Sequence, residues 1–139
     1  ENAVKIKLNV ISETVKGKRV VLVDDSIVRG TTSAKVVSLL RHAGAKEIHM
    51  RISSPAFVSE CYFGTDIDSK ENLIANRHSV EEIAAIIGAD TLGFLSTDSV
   101  LKIAEHAHSG FCTGCFTGIY PAEIPKETPK NKFEFPYEE

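Results

Sequence analysis

The 139-residue sequence has no tryptophan, a single methionine and only three cysteines. So small and odd a cysteine count does not make a secreted disulfide framework, and a reducing cytoplasm suits it better. No apolar run approaches the ~20 residues that a membrane-spanning helix needs. No signal-peptide pattern opens the sequence. An excess of positive charge is missing too: 16 Lys and Arg against 19 Asp and Glu leave a net charge of −3. That balance argues against a nucleic-acid or anionic-membrane surface but not against a local phosphate pocket. Internal repeats and low-complexity tracts are also absent. What remains is 42% hydrophobic residues in a length that suits one domain with a real core.

The most informative stretch begins at Arg19. Val20, Val21, Leu22 and Val23 form a continuous apolar run, which predicts a strand buried on both faces of a parallel sheet between helices. It ends in Asp24 and Asp25, and Ser26, Ile27, Val28, Arg29, Gly30, Thr31, Thr32 and Ser33 follow. Open α/β sheets bind ligands beyond the carboxyl ends of their strands. Backbone N–H groups at a helix N-terminus, beside Gly and hydroxyl residues, make an anion site. The two carboxylates would repel that anion unless they hold sugar hydroxyls, or a divalent cation on a polyphosphate. A sugar phosphate that also carries metal-bound pyrophosphate meets both demands. The plainer alternative is a strand end whose Asp and Thr residues cap a turn and a helix.

Elsewhere the pattern predicts an α/β order. Val4, Ile6 and Leu8 alternate with Lys5, Lys7 and Asn9, as in a strand with one solvated face or the start of a helix. Lys7 is then either solvated or a cation near the phosphates. Lys16-Gly17-Lys18 turns the chain into the Asp24 strand. Val36, Leu39, Leu40 and Ala43 predict a helix over 32–42, with Thr31 or Thr32 as N-cap and Gly44 just beyond its end. A second strand over 47–52 completes a right-handed strand–helix–strand unit. Ser53-Ser54-Pro55 breaks it, and 56–68 is irregular. Ser79 and Glu82 form a capping box for a helix through Ile87, closed by Gly88. A short strand follows over 91–95, then a helix capped by Thr97 or Ser99 and running to about His106. Four of the five prolines lie from Pro121 onward, so 121–139 should have no core of its own. Three strands are few for a parallel sheet, so the sequence is expected to be the C-terminal piece of a larger protein.

Cys61 and the pair Cys112-Thr113-Gly114-Cys115 leave several chemistries open. A thioredoxin-like pair would open a helix, and Thr-Gly followed by Phe-Thr-Gly does not look helical. Zinc needs four ligands, which His42, His49, His78, His106 or His108 could complete. An iron–sulfur cluster needs four cysteines, one more than the chain has. Ordinary buried cysteines account for the spacing as well as any metal does.

The string from Asp24 to Ser33 resembles the phosphoribosyl pyrophosphate (PRPP) motif of type I phosphoribosyltransferases, in the version carried by the glutamine PRPP amidotransferases. Lys7-Leu8-Asn9, Leu73-Ile74-Ala75, Glu81-Glu82-Ile83 and Ile87-Gly88-Ala89-Asp90 resemble other segments of that family. So do Cys61-Tyr62-Phe63-Gly64 and the stretch from Gly110 to Gly118. Pro55-Ala56 stands where the family usually has Pro-Pro, and Glu60 where a Pro often precedes the cysteine.

The resemblance implies a type I phosphoribosyltransferase-like parallel sheet flanked by helices, truncated on its N-terminal side. Residues 1–120 would be the C-terminal part of that domain and 121–139 a tail, with the family's glutaminase domain not represented. It implies that Lys7 and the residues from Asp24 to Ser33 bind PRPP, with Mg²⁺ on Asp24 and Asp25. Cys61, Cys112 and Cys115 would be ligands of a structural 4Fe–4S cluster whose fourth ligand lies outside the chain. The expected partners are PRPP, purine nucleotides, a glutaminase domain of the same polypeptide and further copies in a homo-oligomer. No nucleic acid or membrane is expected. The implied activity is displacement of pyrophosphate from PRPP by glutamine-derived ammonia, the first committed step of purine synthesis. A non-catalytic sensor of PRPP or purine nucleotides on the same fold is the rival. Purine-base phosphoribosyltransferases lack the cysteines.

Overall fold

A computed structural model of the chain describes residues 10–67, 69–103 and 106–124. Lys7, the alternating segment around it and most of the Pro-rich tail therefore lie outside the described residues. A single helical turn, α1 (Ser12–Val15), leads into β1 (Arg19–Asp24), α2 (Thr31–His42) and β2 (Glu47–Ile52). Two short 3₁₀ turns (Lys70–Asn72 and Ile74–Asn76) precede α3 (Val80–Ile87), β3 (Thr91–Phe94), α4 (Thr97–Lys102) and a one-turn α5 (Gly114–Thr117). The strands form a three-stranded parallel sheet in the order β1-β2-β3. Asp24 is level with Ile52 in the first pair, and Ile52 with Phe94 in the second. All three carboxyl ends thus meet at one edge of the sheet, where the Asp24 loop begins.

One face of the sheet carries the core. Ile48 and Met50 are fully buried, and Ile52 nearly so, against Val37 and Leu40 of α2 and Ile83 and Ile87 of α3. Burying several such side chains at about 1.5–3 kcal/mol each is what holds this layer together. The prediction that β1 is buried on both faces is corrected here. Val20 and Leu22 turn toward the core, but Val21 and Val23 are 64% and 68% exposed. The reason is that α2 and α3 pack against each other and against the same face. The opposite face is polar beyond Val21 and Val23: the Glu47 carboxylate takes Arg19 Nε at 2.5 Å and His49 Nε2 at 3.1 Å. Thr91 Oγ1 meets His49 Nδ1 and Arg51, each at 3.0 Å.

Helix ends follow the local chemistry, with three corrections. The Ser79–Glu82 capping box is present, Ser79 N–H to Glu82 Oε2 at 2.8 Å and Glu82 N–H to Ser79 Oγ at 3.2 Å. α2 is preceded by Gly30 as its N-cap, not by Thr31 or Thr32, because the chain enters it through a left-handed turn with φ of 79°. α4 is capped by Ser96, whose Oγ accepts the Ser99 N–H at 3.2 Å, and it ends at Lys102 rather than near His106. Cys115 lies in the one-turn helix α5, where no helix was expected, and left-handed Gly118 closes it. Among the described residues no helix is long and apolar enough to cross a membrane.

Candidate functional site

β1 delivers Asp24 and Asp25 to the carboxyl edge of the sheet. The Asp24 carbonyl is held by Ser53 from the end of β2, through its N–H at 2.9 Å and its hydroxyl at 3.2 Å. The Asp24 carboxylate accepts the Asp25 N–H at 3.0 Å, and the Ser26 hydroxyl donates to Asp25 at 3.2 Å. Ile27 then plunges into the core, 2% exposed, and pins the loop to it. The Val28 carbonyl accepts the Ile74 N–H at 2.9 Å. Anchored at both points, the loop turns at Gly30 and starts α2.

The start of α2 has no side-chain cap. Its first-turn N–H groups carry partial positive charge and have no carbonyl one turn earlier to bond, so an anion can take them. Gly30 is buried, and its bare Cα lets Ile74 and Ile87 close beneath the turn. A cavity of about 460 Å³ opens above, lined by Asp24, Asp25, Ser26, Val28, Arg29, Gly30, Thr31, Thr32 and Asp66. Eight residues of the Asp24–Ser33 string therefore share one cavity, while Ile27 and Ser33 are buried to its side. Acids, hydroxyls and a helix N-terminus in one concavity can hold a ligand with hydroxyl groups at one end and an anion at the other. Two adjacent carboxylates with open space before them suit Mg²⁺, which commonly takes one or two carboxylates and fills its shell with water and substrate phosphate.

Asp66 was not foreseen. It stands in the irregular loop after β2, which leaves the sheet at the same edge as Asp24, so topology was the available signal. It is the central residue of a three-residue turn in which the Ile67 N–H donates to the Thr65 carbonyl at 2.9 Å.

The cysteines lie beyond that loop. Cys61 and Cys115 pack with Val28 and Phe116 around the buried cluster of Phe57, Ile67 and Leu73. Val28 thus lines the cavity on one side and the cysteine cluster on the other. The Cys115 carbonyl accepts the N–H groups of Val58 at 2.9 Å and Ser59 at 3.1 Å. Tyr120 clamps the two segments: its hydroxyl donates to the Glu60 carbonyl at 2.5 Å and lies 2.8 Å from Ser59 Oγ, and its ring meets Tyr62 edge-on. Burial pushes the Cys115 thiol up, and the neighbouring Cys61 and Cys112 sulfurs add to that. Burial also opposes ionisation of Cys61, but the N–H groups of Phe63, Thr65 and Gly64 outweigh it and the thiol is lowered. All three cysteines are free thiols, and Cys112 is exposed. Among the described residues no three His, Cys, Asp or Glu side chains converge closely enough to hold a metal ion.

Residues 2–54 match the family model described as "Phosphoribosyl transferase domain". The chain is 51% identical over 129 residues to an amidophosphoribosyltransferase of Archaeoglobus fulgidus, spanning 91% of its own length and 28% of that relative. It is 58% identical over 120 residues to chloroplastic amidophosphoribosyltransferase 1 of Arabidopsis thaliana, of which it covers 21%. Among solved structures, glutamine PRPP amidotransferase from B. subtilis, complexed with ADP and GMP, superposes with a TM-score of 0.80 at 48% identity. That match covers 92% of this chain and 30% of the other. The fold is therefore the parallel α/β fold of the type I phosphoribosyltransferases, and over about nine-tenths of its length the chain is similar to roughly a quarter of an amidophosphoribosyltransferase.

Proposed function

We propose that the chain is the PRPP-gripping part of a glutamine PRPP amidotransferase, acting in the cytoplasm in the first committed step of purine synthesis. The observation that carries this reading is the uncapped N-terminus of α2 facing the same cavity as Asp24 and Asp25. The backbone N–H groups and hydroxyls of Thr31 and Thr32, with Ser26 and the buried Ser33 behind them, cradle the 5-phosphate. Asp24 and Asp25 take the 2- and 3-hydroxyls of the ribose. Ile27 and Val28 hold the loop in shape, and Arg29 and Lys7 add positive charge near the phosphates. Mg²⁺ held by Asp24 and Asp25 would neutralise the leaving pyrophosphate.

Ammonia displaces pyrophosphate at C1: the C1–N bond forms as the C1–O bond breaks, and its electron pair leaves with pyrophosphate. The ring gains positive charge on the way, and carboxylates fixed beneath it favour that charge. No side chain has to act as a nucleophile. The ammonia comes from a glutaminase domain of the same polypeptide, in a homo-oligomeric enzyme. Cys61, Cys112 and Cys115 would supply thiolates to a structural 4Fe–4S cluster. Their thiol chemistry and the packing of Cys61 and Cys115 on one buried cluster support this; Cys112 would have to draw in, and a fourth ligand from outside the chain would complete the set.

The test is pyrophosphate release from PRPP by the full-length protein supplied with ammonium salt and Mg²⁺. Release that depends on both is expected. Tight PRPP binding with no release would instead make the domain a sensor.

A further inference from the structure

The residues from Leu73 to Asn76 join the two hydrophobic clusters of the molecule. Leu73 is fully buried in the cluster against which Cys61 and Cys115 pack. Ile74, next to it, belongs to the main core and closes beneath Gly30 at the turn that opens α2. The Ile74 N–H bonds the Val28 carbonyl at 2.9 Å, and Val28 touches both the cavity and the cysteine cluster. Asn76 ends this strut and ties it down. Its side-chain amide donates to the Lys70 carbonyl at 2.9 Å and to the Val58 carbonyl at 3.1 Å, one for each hydrogen of the NH₂ group. Val58 in turn donates its own N–H to the Cys115 carbonyl at 2.9 Å. Between Ile52 and Lys70 the described residues form neither helix nor strand, so bonds of this kind fix that loop. A line of direct contacts therefore runs from Val28 through Ile74, Asn76 and Val58 to Cys115.

We propose that Asn76 is a positioning residue that couples the Asp24 cavity to the cysteine-bearing segment. A ligand on the Asp24 loop steadies the bond between Val58 and Cys115, and an ordered cysteine segment tightens the ligand's hold. This rests on the sugar-phosphate reading of the cavity. Asn76 does not line that cavity, so it acts only through the strut. Such coupling is reciprocal, each site gaining from the other by the same factor. Its physical content is that the loop has to be ordered only once, by whichever site is filled first.

The experiment compares wild type and Asn76→Ala in the full-length protein at equal iron content. Ribose 5-phosphate affinity is measured by calorimetry, and amide exchange by mass spectrometry with and without that ligand. Asn76 is exposed, so alanine leaves no cavity. In the wild type, ribose 5-phosphate should slow exchange at residues 26–33 and also at 57–60. In Asn76→Ala the protection at 26–33 should remain and that at 57–60 should vanish. Affinity should fall about threefold to tenfold, the size of one net hydrogen bond. Asn76→Asp, which keeps the shape and loses both donors, should behave alike, and it is read alone if the alanine variant does not fold. Wild-type protection confined to 26–33, or protection at 57–60 that survives both substitutions, overturns the proposal. So does faster exchange at 57–60 with unchanged affinity, the mark of a merely structural role. Failure of the wild type to bind ribose 5-phosphate overturns the underlying site reading instead, and the coupling falls with it.

Discussion

A Cβ on Gly30 would stand 3.0 Å from Cδ1 of Ile74 and 3.5 Å from Cγ2 of Ile87. The φ of 79° at Gly30 adds a second penalty for any other residue. Gly30→Ala should therefore cost about 1–3 kcal/mol, measured by chemical denaturation. It should also weaken ligand binding, because the turn it distorts opens α2. Gly17 has a similar φ of 72° with nothing near its Cβ position, so Gly17→Ala should cost less.

Asp90 ties three elements together at the far end of the sheet. Its carboxylate accepts the Ile48 N–H at 2.6 Å and pairs with Arg41 of α2 at 2.5 Å. The Ile48 N–H holds its pKa below the ordinary carboxylate value; burial opposes this, and the Arg41 guanidinium adds to the lowering. A depressed carboxyl pKa contributes stability that is present above the unfolded value, about 3.9, and is lost as pH falls through the folded value. Melting temperatures of wild type and Asp90→Asn should therefore differ at pH 7 and converge as pH falls below the folded value of the Asp90 carboxyl. A constant difference across that range would contradict the assignment.

The two faces of the sheet predict opposite sensitivities. Val21 and Val23 are open, whereas Ile48 and Met50 are fully buried. Val21→Thr should shift stability by no more than about 0.5 kcal/mol, and Ile48→Ala should cost about 2–5 kcal/mol. Equal losses in equilibrium denaturation would mean that both faces are packed.

Tyr120 and Gly114 make the clamp around the cysteines testable. A Cβ at Gly114 would fall 2.2 Å from Tyr120 Cδ1, so Gly114→Ala must displace the ring. Tyr120→Phe loses only the hydroxyl's bonds and should cost about 1 kcal/mol. Gly114→Ala should cost more, and iron content of the purified full-length protein should fall with it. Unchanged stability in Gly114→Ala would show that the ring does not clamp these segments.

Much of this fold was legible from residue order. The strand over 47–52, the Ser79–Glu82 box and the Gly88 stop are local chemistry, and the chain obeys them. What was not legible depended on partners distant in sequence. Val21 reads like Val20, and only the common side taken by α2 and α3 separates them. Thr31 looks like a good N-cap until the left-handed entry at Gly30 displaces it. The two acids and the hydroxyl turn could be named as a group, whereas Asp66 joins them only because its loop returns to the same sheet edge. The nearness of Cys61 to Cys115 likewise comes from packing on Phe57 and Leu73, which no spacing rule encodes.

The most direct measurement is PRPP binding to the full-length protein by calorimetry, with and without Mg²⁺, for wild type and Asp25→Asn. Asp25 stands exposed at the mouth of the cavity, bonded to the Ser26 hydroxyl at 3.2 Å, so the amide should fit without disturbing the fold. Mg²⁺-dependent binding in the wild type, weakened about tenfold or more by the substitution, is the predicted result. Binding that is equally tight in both proteins would contradict the claim that this pair of acids grips the sugar and its metal.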